Sequence, residues 1–182
     1  MSKVQSYCAV SLDGFIAGVD DDLSWLDQPE PTVPQDPGTV SFSSFLEQVG
    51  AMLMGRRTFD VVRGLGVDWP YGSIPVLVAT SRPLENAPPS VSACSGGIRH
   101  LCERAEQAAD GKSVYLDGGN VISQALEAGI VDELILTVVP LFLGSGVRLF
   151  QGTTRQRMSL DYMGRLGSMI QIKLAATGKG EN

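Results

Sequence analysis

The 182-residue sequence predicts an α/β domain: a central, mostly parallel sheet with flanking helices and a C-terminal antiparallel hairpin. Three observations predict it. Short apolar segments alternate with segments whose apolar positions recur at helical spacing, which is the pattern of βα units. Glycine-bearing turns stand where apolar segments give way to helices, at Gly55 and at Gly118-Gly119. The tail, from about Ser159 to Ala176, reads as two strands around Gly164–Gly167.

Taken in order, residues 3–10 (KVQSYCAV) are rich in β-formers and predict the first strand. Ser11 to Asp22 reads as a loop with two glycines and four aspartates. Residues 28–38 (QPEPTVPQDPG) hold four prolines and predict a loop or flap. Residues 41–49 (SFSSFLEQV) place Phe42, Phe45, Leu46 and Val49 on one helical face, with Ser41 as N-cap. Ala51–Met54 is a short apolar strand that runs into Gly55-Arg56-Arg57-Thr58 and a helix. Pro75–Ala79 is another buried strand, ahead of Thr80-Ser81-Arg82-Pro83, and Val91–Cys94 is a further short one. Ile98–Ala109 is a helix, Ser113–Leu116 a strand closed by Asp117-Gly118-Gly119-Asn120, and Val121–Ala128 the helix after it. Glu133–Val139 (ELILTVV) predicts a long central strand.

A chain this long fits one domain, here 1–182, and buries roughly 70% of its unfolded surface, so it needs no disulfide or metal staple. The net charge of −6 argues against a nucleic-acid or anionic-membrane partner, though not against one local phosphate pocket. Cys8, Cys94 and Cys102 are scattered in no metal spacing and predict reduced thiols in a cytoplasmic protein. A single histidine, His100, excludes His-rich zinc sites and disfavours a Ser-His-Asp triad. The N-terminus shows no signal-peptide pattern, and no apolar run approaches the roughly 20 residues of a membrane span.

Two strand-to-helix junctions carry the candidate chemistry. At Gly55-Arg56-Arg57-Thr58, glycine admits close backbone approach, the helix start offers free N–H groups, and two guanidiniums and a hydroxyl add donors for phosphate oxygens. Asp117-Gly118-Gly119-Asn120-Val121 is suited to a pyrophosphate on backbone N–H groups, with the Asp117 side chain expected to point away. It matches neither G-x-G-x-x-G nor a P-loop. Ser81-Arg82 adds a hydroxyl and a guanidinium at the end of a third strand. All three lie at carboxyl ends of strands, the edge where open α/β sheets bind ligands, and together they suit a ligand with several phosphates.

The stretches AVSLDGFIAG (9–18), LSWLD (23–27), AMLMGRRTFDVV (51–62), VYLDGGNVISQALEAGIVDELILTVVPLFLGSGVRLF (114–150) and the closing hairpin cover most of the chain. In these the chain resembles the dihydrofolate reductase superfamily, and most of all the riboflavin-biosynthesis reductase domain and its stand-alone bacterial relatives. The resemblance implies an NADPH-dependent reductase with a dihydrofolate-reductase-like fold, acting on a C=N or C=O bond of a small heterocycle. It sets Ala9, Ile16 and Ala17 beside the nicotinamide, and Gly55, Arg56, Arg57 and Thr58 on the phosphate side. It sets Ser81 and Arg82 at the 2′-phosphate, and Gly118, Gly119, Asn120 and Val121 around the pyrophosphate, with a cis peptide in or next to the glycine pair. Thr137 matches the threonine that partners the pterin-binding acid of dihydrofolate reductases. That acid has no counterpart in SFSSFLEQV, where Glu47 falls too late. Riboflavin-type reductases hold a substrate phosphate with basic residues, for which Arg148 and Arg63 are candidates here. They are commonly homodimers, and VVPLFLG offers an apolar stretch for such pairing.

Reduction also needs a proton. Asp13 is the first acid to test, against a structural part in capping its own turn. Trp25, Leu26 and Phe45 are expected to wall the substrate pocket or to belong to the core. Two alternatives stay open: dihydrofolate reduction, and NADPH binding without catalysis. A zinc deaminase is excluded, because its H-x-E and P-C-x-x-C elements are missing.

Overall fold

The computed structural model describes residues 2–26 and 35–177. In chain order its elements are β1 (Val4–Ser11), β2 (Phe15–Ala17), α1 (Phe42–Leu46), β3 (Val49–Gly55), α2 (Arg56–Gly64), β4 (Val76–Ala79), β5 (Val91–Cys94), α3 (Ile98–Ala108), β6 (Ser113–Asp117), α4 (Gly119–Glu127), β7 (Glu133–Val139), β8 (Val147–Arg148), β9 (Met158–Leu166) and β10 (Met169–Ala176). Eight strands form one sheet in the order β5-β4-β3-β6-β1-β7-β10-β9. The six from β5 to β7 run parallel, and β10 and β9 add antiparallel to β7. The α/β class, the parallel centre and the closing hairpin therefore stand as the sequence predicts.

The alternation of side chains along each strand divides the core in two. On one face, Ala51, Leu53, Val114, Leu116 and Leu136 pack under α3 and α4, through Leu101, Ala105, Val121 and Ile122. On the other, Met52, Met54, Val76, Val78 and Tyr115 pack under α1 and α2, through Phe45 and Phe59. Helices on both faces explain why the central strands are apolar along their whole length.

Four local expectations change. The Ser11–Asp22 segment is more than a loop: Phe15–Ala17 forms β2, which pairs antiparallel with β8. That pairing joins segments some 130 residues apart and leaves no local pattern to find. Val49 leaves the predicted helix and enters β3 opposite Ser113, because the Gln48 carbonyl accepts from both the N–H and the Oγ of Ser113. Ser41 does cap α1, its Oγ accepting from Ser44 N–H at 3.2 Å. The helix expected at Val121 begins two residues earlier, at Gly119. There is no cis peptide among the described residues; Gly118 makes the turn in the trans form with φ +89°, a region open to glycine. Most of the proline-rich stretch lies outside the described residues. Its end is fixed to β9, where Asp36 Oδ2 accepts from Arg165 N–H at 2.8 Å and Tyr162 donates to the Pro37 carbonyl at 2.9 Å.

The turn after α3 presses on the start of β3. A Cβ on Gly50 would stand 2.7 Å from Lys112 Cβ and 2.8 Å from the Ala109 carbonyl carbon. Gly50→Ala is therefore expected to cost about 1–3 kcal/mol by overpacking, lowering Tm by roughly 2–10 °C in a thermal melt.

Candidate active site

The carboxyl ends of β1, β3, β4, β5 and β6 open into one cavity of about 920 Å³. The crossover connections all leave at this edge, so the strand ends and the helix starts are brought together there. Three helices begin against it. The residues that cap α2, α3 and α4 are Gly55, Gly97 and Gly118, and none supplies a side chain to its helix. α1, which does not line the cavity, is capped by a serine. The first-turn N–H groups facing the cavity are thus left for a ligand, and with the positive ends of the helix dipoles they favour an anion.

The two glycine junctions meet each other. A Cβ on Gly118 would collide with Thr58 Oγ1, and one on Gly119 with the Arg148 carbonyl. Only a backbone without side chains lets α2 and α4 start this close together. The site's arginines are partly committed. Arg56 Nε donates to both carboxylate oxygens of Asp60, at 2.8 and 2.9 Å, and its Nη1 to the Pro83 carbonyl at 3.2 Å. Arg57 Nε is 2.7 Å from Asp21 Oδ1, an ion pair that joins α2 to the turn after β2 and holds the guanidinium above its usual pKa.

The lining from the α1–α2 face of the sheet is aromatic. Tyr7, Tyr71 and Tyr115 form it, with Leu23, Leu26, Val61, Val62 and Leu65 around them. Tyr115 donates to the Tyr7 carbonyl at 3.0 Å, and Gln171 donates to the Tyr7 hydroxyl at 3.3 Å. Contrary to expectation, Asp117 does not point away: it lines the cavity, where Tyr71 donates to its Oδ2 at 3.5 Å. Burial pushes its carboxyl up to about 6, against the opposing pull of the Gly118 N–H and the Tyr71 hydroxyl. Burial likewise raises the Tyr71 and Tyr115 hydroxyls, with the Asp117 charge adding to the effect.

Ala9, Ile16, Ala17, Gly55, Arg56, Arg57, Thr58, Ser81, Gly118, Gly119, Asn120, Val121 and Leu26 all line this one cavity. Arg82 stands exposed beside Ser81, its N–H on Thr80 Oγ1 at 3.1 Å, and is not part of the lining. Trp25 and Phe45 are core residues, 7% and 2% exposed, and do not reach the cavity. Asp13 also stands apart. Its Oδ1 accepts from Ser11 Oγ at 2.6 Å and Leu143 N–H at 3.1 Å, and its Oδ2 from Gly144 N–H at 2.7 Å. The Ser11 bond above all lowers its pKa to about 2, so it is ionised at neutral pH and cannot supply a proton. It fastens the β1–β2 turn to the loop after β7. Thr137 is buried in β7 between Ala9 and Gln171, away from the cavity lining. The candidate phosphate ligands for a substrate are elsewhere: Arg148 covers the Phe15 ring at 4.5 Å, and Arg63 donates to the Asn86 carbonyl at 3.5 Å.

Comparison with known proteins gives the family and the fold. The family model for the RibD C-terminal domain matches residues 2–172. The uncharacterized protein YwjB of Bacillus subtilis is 31% identical over 172 residues, 93% of this chain and 95% of YwjB. A Shewanella sp. PV-4 protein, provisionally described as a riboflavin biosynthesis protein, superposes with a TM-score of 0.81 at 29% identity, covering 97% of this chain and 99% of that one. The fold alone is shared with a Thermotoga maritima protein described as a diaminohydroxyphosphoribosylaminopyrimidine deaminase/5-amino-6-(5-phosphoribosylamino)uracil reductase. There the TM-score is 0.65 at 15% identity, over 96% of this chain and 56% of that longer one.

The three cysteines set a test of their own. Burial, then the Asp117 charge, raises the Cys8 thiol to about 12, and burial raises Cys102 to about 11 and Cys94 above its usual range. A thiol is reactive as thiolate. Iodoacetamide at pH 8 is expected to leave all three cysteines unmodified in the folded protein over the time that fully alkylates them in denaturant, as read by intact mass.

Proposed function

From the chain's membership of the RibD C-terminal domain family, we propose that it is an NADPH-dependent reductase acting on a C=N or C=O bond of a small heterocyclic substrate, of the 5-amino-6-(5-phosphoribosylamino)uracil reductase type. The observation that carries the proposal is the convergence of three glycine-capped helix starts, at Gly55, Gly97 and Gly118, on one cavity. A dinucleotide with three phosphates needs such N–H groups and close backbone approach. The residues fit it. Gly118 and Gly119 form a cradle that a Cβ would fill, and Asn120, Val121 and Thr58 stand beside it for the pyrophosphate. For a 2′-phosphate there are Ser81 in the lining and the exposed Arg82 beside it, both just after β4, and for the nicotinamide Ala9 on β1 with Ile16 and Ala17 on β2.

When bound, NADPH supplies the hydride. The protein's own part is placement and a proton. The tyrosines and the α2 side chains exclude water from the α1–α2 side of the cavity. Asp117 takes the part first expected of Asp13. As the substrate carbon gains hydride, the π pair moves to nitrogen or oxygen, and the Asp117 carboxyl transfers its proton there. It then regains a proton from solvent. A carboxyl near 6 holds a usable proton close to neutral pH, whereas one near 2 does not.

The proposal includes a cytoplasmic homodimer. Phe142, in the apolar stretch after β7, is 74% exposed, and Leu160, Met163 and Ile170 on the β9–β10 hairpin are 48–63% exposed. Surface of this kind suits a second copy of the chain.

Two measurements test the reductase assignment. NADPH at 100 times its Kd is expected to stabilise the fold by about 2.7 kcal/mol, a Tm rise of roughly 5–10 °C. NADH is expected to give a smaller rise, and Arg82→Ala to remove the difference between the two. The second is a pH profile. Because the acid must be protonated, kcat/KM is expected to fall about tenfold per pH unit above about 6. Asp117→Asn is expected to abolish that limb and lower the rate by about 10²–10⁴, with an unchanged NADPH-induced Tm rise showing that the cofactor site is intact. A profile flat from pH 5 to 8 in the parent enzyme would remove Asp117 from the chemistry.

A further inference from the structure

The acid at the end of β6 has a neighbour from a distant part of the chain. Residues 65–75 connect α2 to β4, and Tyr71, in this connection, is buried and lines the cavity together with Asp117. β4 and β6 lie on either side of β3. The Tyr71 hydroxyl nevertheless reaches the last residue of β6 and donates to Asp117 Oδ2 at 3.5 Å. Other aromatic rings hold Tyr71 in place. Trp69 stands edge-on to it at 5.1 Å and to the buried Phe59 of α2 at 5.9 Å. Edge-to-face contacts of this kind favour one ring orientation. The backbone is held as well: Ile74 N–H donates to the Tyr71 carbonyl at 3.1 Å, and Ser90 Oγ to the Gly72 carbonyl at 3.1 Å.

We infer that Tyr71 is the positioning residue of the acid: its hydroxyl engages Oδ2 of Asp117 and leaves Oδ1 to carry the proton that goes to the substrate. This rests on the assignment of Asp117 as the proton donor. A protonated carboxyl has one O–H and one carbonyl oxygen, and a hydroxyl donor is met by the carbonyl oxygen. When Oδ1 gives its proton to the substrate nitrogen or oxygen, the carboxylate that remains keeps the Tyr71 bond, now charge-assisted and stronger. The tyrosine keeps its own proton, because burial, and then the Asp117 charge, hold its hydroxyl well above the usual value. Cys8 on β1 and Tyr115 on β6 also feel the Asp117 charge; burial first, and that charge second, raise both, so they are neutral near pH 6. On the neighbouring α2, Arg56 and Arg57 are paired with Asp60 and Asp21. A bond that favours the ionised form of Asp117 lowers its pKa, so loss of the Tyr71 hydroxyl raises it.

The test follows the Asp117 carboxyl directly, by ¹³C NMR of the whole protein labelled at aspartate Cγ, with the Asp117 signal identified by its loss in Asp117→Asn. In the parent the signal is expected to titrate with a midpoint of about 6. Tyr71→Phe keeps the ring beside Trp69 and removes the hydroxyl, and is expected to move the midpoint up by about 0.5–1 pH unit. Tyr115→Phe removes a hydroxyl that serves the Tyr7 carbonyl instead, and is expected to move it less. In turnover of 5-amino-6-(5-phosphoribosylamino)uracil with NADPH, Tyr71→Phe is expected to carry the alkaline limb of kcat/KM up by the same interval. It is expected to lower kcat by about three- to tenfold, with the NADPH-induced Tm rise showing that the cofactor site is intact. A midpoint that stays or falls in Tyr71→Phe, or that moves equally in Tyr115→Phe, overturns the inference. The two readings fail differently. A parent enzyme with no alkaline limb removes Asp117 as the acid, and the inference with it, whereas a limb present in the parent and unmoved in Tyr71→Phe removes Tyr71 alone.

Discussion

The contact between Thr58 and Gly118 is where two helices, from different βα units, begin against each other. It exists because β3 and β6 are neighbours in the sheet, with Met54 opposite Asp117, so their chains leave the edge side by side. It also exists because Gly118 has no side chain and takes a φ of +89°. From that contact follow the uncapped N–H groups of α2 and α4, the single cavity they face, and the position of Asp117 at the last residue of β6. A side chain at Gly118 would strain the backbone and push Thr58 aside, separating the two helix starts. The fold thus makes an anion cradle out of strand order and missing side chains, with little net charge.

That economy of charge shapes the chemistry. The two arginines of α2 are tied by Asp60 and Asp21, and the second pair fastens the turn after β2 to the cavity rim. Electrostatic attraction for an anion then rests on the helix starts, in a cavity whose lining also holds tyrosines and the half-buried Asp117. Burial raises the pKa of Asp117 because the low-dielectric wall disfavours its negative charge. Asp13, bound by one hydroxyl and two backbone N–H groups, is driven the other way and is committed to holding a loop.

Much of this was legible in the residues. Gly55-Arg56-Arg57-Thr58 and Gly118-Gly119-Asn120-Val121 announce strand-to-helix junctions because glycine and the change of apolar period are local signals, and the structure brings both into one cavity. The fate of Asp117 was not legible. Its raised pKa comes from burial, and its carboxylate meets the hydroxyl of Tyr71, 46 residues away in sequence. An aspartate ahead of two glycines at a phosphate-friendly turn gives no hint of that neighbour. Trp25 and Phe45 failed as pocket residues for a related reason: an apolar side chain next to a site looks the same in sequence whether it faces the cavity or the core. The β2–β8 pair was hidden because three- and two-residue strands carry no periodicity. A signal for Asp117 did exist, since it is the one acid at the carboxyl end of a strand followed by a glycine turn, and such an end is where an open sheet presents groups to a ligand.

The most direct test of the central claim is the backbone amide spectrum of ¹⁵N-labelled protein during titration with NADPH. The account predicts that the largest shift changes fall on the N–H groups of Gly119, Asn120 and Val121 and of Arg56, Arg57 and Thr58, with smaller ones near Ala9 and Ser81. Saturable changes confined to another face of the sheet, with these amides unmoved, would contradict it.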